Sequence, residues 1–136
     1  MQEFESMRAR WFAPFCQRLD LVPGETDTGP CYAMASAASG WVRIFFEYER
    51  GMCSFAVGAV QDARPLCGVE EIAGRFPRVR LMAEGAQRLS LEEQQQFLES
   101  RWGDLQVIFS PEHLAETRQW QKAANAACTA QFSKKI

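Results

Sequence analysis

The sequence predicts an α+β fold, with an N-terminal helix, an antiparallel meander over about 31–60, and a helical C-terminal half on one sheet face. Three observations predict it. Residues 41–60 alternate in the manner of a β-hairpin, the segment from Leu89 onward carries helical periodicity behind a clear start signal, and strands come before helices in the chain. The 136 residues, 47% of them hydrophobic and 24% charged, suit one domain spanning 1–136. A chain of this length buries about two thirds of the surface its unfolded form exposes, so no disulfide or metal is needed for folding.

Residues 2–20 read as an amphipathic helix, with Phe4, Met7, Arg8, Trp11, Phe15 and Leu19 at steps of three and four. Pro14 interrupts it, because proline cannot donate to the helical ladder. Leu21 to Pro30 reads as an exposed loop, bracketed by Pro23-Gly24 and Gly29-Pro30 and carrying Glu25 and Asp27. Asp27-Thr28-Gly29 matches an aspartic-protease triplet without the apolar strand before it or a second copy to share a proton. Residues 31–39 form the first strand of the expected meander. They put Tyr32, Met34 and Ser36 on one face and alanines on the other.

The second expected strand, Trp41–Tyr48, turns Val42, Ile44, Phe46 and Tyr48 toward the core and Trp41, Arg43, Phe45 and Glu47 away from it. Glu49-Arg50-Gly51 is the turn, and Cys53, Phe55 and Val57 alternate with Ser54 and Ala56 along the third strand. Gly58 marks a bulge or a close backbone approach. After a turn at Gln61–Pro65, a short helix is expected across 66–76, ended by Pro77. Residues 77–88 form a basic loop with a short extended piece at Val79–Met82.

Ser90 and Glu93 then make a capping box, and Leu91, Leu98, Trp102, Leu105 and Phe109 follow one helical face. Ser110-Pro111 reads as a fresh cap and first turn, with Phe109 and Leu114 placed for a hydrophobic staple. The last helix runs to about Phe132 with Leu114, Trp120, Ala123, Ala124, Ala127 and Cys128 inward.

The net charge of −2 and pI near 5.5 argue against a general nucleic-acid binder, whose affinity rests on neutralising phosphates. Arg75, Arg78, Arg80 and Arg88 read as a solvated loop. Five cysteines with no C-x-x-C spacing, and one histidine, give no basis for a disulfide framework or a metal site. Neither a signal-peptide pattern nor a run of about 18 apolar residues is present, so the expectation is a cytoplasmic chain without a membrane span. No glycine-rich phosphate loop occurs, and no cofactor is expected.

The charges and aromatics on the outward face combine large contact area with polarity, the mixture found at interface centres. The candidate partner-binding residues are Glu25, Asp27, Trp41, Arg43, Phe45, Glu47 and Glu49, with no catalytic residue assigned. A helix laid over Trp41 and Phe45 is the structural alternative. A small enzyme built on Glu47 with Glu49, or on Cys31 with His113, is the catalytic one.

In layout, a leading helix, the meander holding Trp41–Gly51 (WVRIFFEYERG) and the capped tail from Leu89–Leu98 (LSLEEQQQFL) resemble small immunity proteins of bacterial toxin systems. That resemblance implies a stoichiometric, non-enzymatic inhibitor that occludes a toxin's active site, with Glu25, Asp27 and the strand charges as contacts. The other binding class is an adaptor or structural module, with a homodimer through sheet edges or the alanine-rich helix as one arrangement.

Overall fold

The computed structural model describes residues 2–76 and 89–134, with side chains described as far as 127. The basic loop expected at 77–88 and the side chain of Cys128 lie outside the described residues. The architecture is α+β, a five-stranded antiparallel sheet in the order β1-β2-β3-β4-β5 with helices packed against it.

The N-terminal helix is continuous through Pro14. It runs as α1 (Gln2–Met7), a π-helical turn (Arg8–Phe12) and α2 (Ala13–Leu19). The amide of Ala13 donates to the carbonyl of Arg8, an i→i−5 bond that absorbs one extra residue just ahead of the proline. The wider turn rotates the helix, so Phe12 joins Phe4 and Phe15 in the core while Trp11 is only half-buried. The Gln95 Nε2 donates to the Trp11 carbonyl at 2.7 Å, a donor from the C-terminal half to the loosened turn.

β2 (Tyr32–Ser39), β3 (Val42–Glu49) and β4 (Met52–Ala59) form the meander as the alternation predicts. Phe46 pairs with Phe55 across β3 and β4, and Phe12 lies nearly parallel to Phe46 at 5.6 Å. The small residues Ala33, Ala35 and Ala37 of β2 occupy the same buried face, leaving room for these rings. Arg50 and Gly51 both have positive φ, 52° and 81°, which suits a two-residue hairpin turn.

Four expectations need correction. Residues 21–30 are not a loop, because Val22–Thr28 form the edge strand β1, paired to β2. Every residue of β1 is exposed, so the strand is held by backbone pairing and displays no burial pattern. Residues 66–76 are not one helix either. β5 (Cys67–Gly68) first pairs with Ala56 and Val57, and only Val69–Ala73 is helical (α3).

The capping box at Ser90 and Glu93 opens α4 (Leu91–Ser100) as expected, and α5 (Trp102–Ile108) follows. The third correction is that Ser110 does not cap the last helix. Its hydroxyl donates back to the Val107 carbonyl at 2.7 Å, and α6 (Leu114–Lys134) begins later. The fourth concerns the inward alanines. In α6 Leu114, Thr117 and Gln121 are buried, whereas Ala123, Ala124 and Ala127 are exposed. These alanines keep helical spacing but lie on an exposed stretch of the helix. No helix among them is long and apolar enough to cross a membrane.

Candidate functional site

The helices cover one sheet face, and Arg43, Phe45 and Glu47 point to the other. Phe45 is only 1% exposed, yet among the described residues no helix covers it. It packs with Met34 and Ala56 in a small second cluster, and the segment after β4 folds back over that face. Gly58 is where the return passes closest. A Cβ there would stand 3.2 Å from the Asp62 carboxylate and 3.3 Å from both the Leu66 amide and the Phe45 ring. Asp62 fixes the return by accepting from the Ala59 amide and from Arg118 of α6, each at 2.9 Å.

Trp41 departs from the expectation. It lies in the β2–β3 turn rather than in β3, and is 47% exposed. Its amide donates to Gln106 of α5 at 2.8 Å, so the turn is docked on the helical layer while the indole stays outside.

Arg43 is half-buried and acts as a strut across the second face. Its Nε donates to the Val60 carbonyl at 3.0 Å and its Nη1 to the Ser36 hydroxyl at 3.2 Å. The β1–β2 register slips between Pro23 and Thr26, so Gly24 and Glu25 bulge opposite Ser36. Gly24 is required by that approach, since a Cβ would sit 2.7 Å from the Arg43 Nη1 and 2.8 Å from the Ser36 hydroxyl.

Between β1 and the return segment lies a cleft of about 530 Å³. Glu25 and Asp27 line one wall, Arg64 and Asp62 the other, and Arg43, Ser36 and Met34 its base. Glu47 stands beside this group. Burial pushes its carboxyl above the ordinary range, with Glu49 adding to the rise and Arg64 opposing it. The Tyr32 hydroxyl, donating to the Met34 sulfur at 3.1 Å, is raised in turn by burial and by Glu47, Asp27 and Glu49. Among the described residues, none of the ion pairs involves Arg43, Glu47 or Arg64.

The structure therefore brings Glu25, Asp27, Arg43 and Glu47 onto one face, with Glu49 at its β3 end, and leaves Trp41 apart at the opposite strand end. Sequence reading missed Arg64 and Tyr32. Arg64 sits in a plain turn after β4, and only the fold-back of that turn makes it part of the site.

The catalytic alternatives gain little from the geometry. Cys31 sits in the β1–β2 turn, where its carbonyl accepts from Arg50. His113 follows α5, whose Gln106 is fastened to the far end of β2 at Ser39. Burial raises the Cys16 thiol to about 11 and the Cys67 thiol to about 12, which keeps both protonated at neutral pH. No group of three His, Cys, Asp or Glu side chains placed to hold a metal occurs among the described residues.

Comparison of the chain with protein-family models, with curated proteins and with solved structures finds no match.

Proposed function

We propose that this protein acts by binding a protein partner through the second sheet face, as an inhibitor of the immunity type that neutralises a cognate bacterial toxin by occluding its active site. One observation carries the reading. Among the described residues no helix covers that face, and it gathers Glu25, Asp27, Arg43 and Arg64 around one cleft, with Glu47 beside Arg64 and lining a neighbouring cavity with Glu49. The cleft carboxylates Glu25, Asp27 and Asp62, with Glu47 and Glu49 alongside, outnumber the two guanidinium groups and favour a partner that presents a basic segment. A cation placed beside Glu47 removes the cost of holding that carboxylate half-buried.

A second reading has its own support. Lys122 to Ala127 of α6 are exposed on every side, a helical surface available to an adaptor or to a second copy of the chain.

The test is capture of the partner from the native host, followed by co-expression of that partner with wild-type and variant chains. Wild type is expected to bind one partner molecule and suppress its toxicity. Asp27→Lys and Glu47→Lys are expected to stay folded, lose capture and lose protection, while Lys122→Glu keeps both. Protection unchanged in Glu47→Lys and Asp27→Lys refutes the placement of the interface. Dimerisation that disappears in a variant carrying bulky residues at 123 and 127 supports the second reading instead.

A further inference from the structure

A second cavity, smaller and less polar, lies on the helix side of β1. It has a volume of about 310 Å³, at the lower end of ligand-binding sites. Phe12, Ala13 and Cys16 form its helical wall, Leu21 and Pro23 border it, and Ala35 lies at its base. Two local irregularities shape it. The π-helical turn places Phe12 toward the sheet, and the bulge in β1 bends the strand beside Ser36.

The polar groups are unevenly placed. Arg8 bridges from the helix to β1, its Nη1 donating to the Thr26 hydroxyl at 3.1 Å. Its nearest carboxylate, Glu5, is 3.8 Å away and 61% exposed, a loose and solvent-screened pair. The only carboxylate on the lining is Asp20, at the C-cap of α2, at the other end of the helical wall from Arg8. One end of the cavity thus offers a guanidinium and a hydroxyl, and the walls are mostly carbon and sulfur, with Gln17 and Ser36 as further polar side chains.

We propose that this cavity binds a small monocarboxylate with an apolar body. Its carboxylate accepts from Arg8 and Thr26, and its body lies against Phe12, Cys16, Pro23 and Ala35. A charge-assisted pair with Arg8 at the mouth fixes polarity, and burial of the chain supplies affinity. The site is distinct from the partner-binding cleft, which lies across β1.

The test uses octanoate as probe and octylammonium, of equal chain length and opposite charge, as control, both followed by calorimetry. Two variants accompany wild type, Arg8→Gln to remove the cation and Ala13→Phe to fill the cavity from an exposed helical position. Circular dichroism melts confirm that each is folded. Octanoate is expected to bind wild type, to weaken about tenfold or more in each variant, and to be preferred over octylammonium by a similar factor. The proposal is overturned by absence of octanoate binding to wild type at about 1 mM. Equal binding of the two probes, or affinity unchanged in both variants, overturns it as well.

Discussion

Replacing Gln94 by leucine removes the clamp between α4 and β4. Gln94 is buried, its Oε1 accepting from the Phe55 amide at 2.8 Å and its Nε2 donating to the Leu89 carbonyl at 3.1 Å. Leucine fits the volume and keeps the helix, but it leaves a buried N–H and a buried C=O without these partners. Each orphaned group costs about 1–3 kcal/mol, so the pair costs about 2–6 kcal/mol. The apolar area that leucine adds returns about 1 kcal/mol. The expected net loss is therefore near 3 kcal/mol. Urea unfolding followed by tryptophan fluorescence reads this directly. With a slope of about 1–3 kcal/mol per molar, the midpoint falls by about 1–3 M. A loss under about 0.5 kcal/mol would show that water or a shifted backbone satisfies both groups, and that the clamp contributes little.

Glu47→Gln is expected to raise stability at neutral pH. The folded carboxyl titrates above its ordinary value of 4.5, so its ionisation costs the native state. Below the unfolded pKa both states are protonated and the cost is absent; it sets in as pH rises past the unfolded pKa and is complete above the folded one. The advantage of glutamine must therefore shrink as denaturation is repeated at falling pH, and a constant advantage contradicts the assignment. Gly24→Val improves strand propensity yet is expected to lose about 1–2 kcal/mol in a thermal melt, because its Cβ breaks the Arg43–Ser36 bond. A valine variant as stable as wild type would show that Arg43 is not a strut. Ser90→Ala is expected to cost about 1 kcal/mol through loss of the capping box, measured by chemical denaturation.

The hairpin and the capped helix were legible because burial writes a period into the sequence. Val42, Ile44 and Phe46 recur at every second position, and Ser90 with Glu93 announces a helix start through backbone chemistry alone. β1 was illegible for the opposite reason. Among the described residues it has one neighbouring strand, none of its own residues is buried, and Pro23, Gly24 and Asp27 all argue against a strand. Proline and charge on an edge are what protect it from pairing with other chains. The alanines of α6 were misplaced because a small side chain costs little whether covered or bare, so spacing cannot say which. The strand part of the site was readable as a face, and Arg43, Phe45 and Glu47 do share it. Its cover was not, since the fold-back through Asp62 and Arg64 depends on a contact with α6 that lies 56 residues away in the chain.

β1 is also a wall with a cavity on each side, for Gly24 and Thr26 border both the partner cleft and the smaller apolar cavity. Val22 at its start is 70% exposed, and among the described residues no second strand braces it from outside. A partition so lightly held moves for less free energy than the strands behind it. A ligand on one side that displaces this wall alters the cavity on the other. Thermodynamic linkage then requires the effect to be mutual: a carboxylate that tightens partner binding is itself held more tightly once the partner has docked.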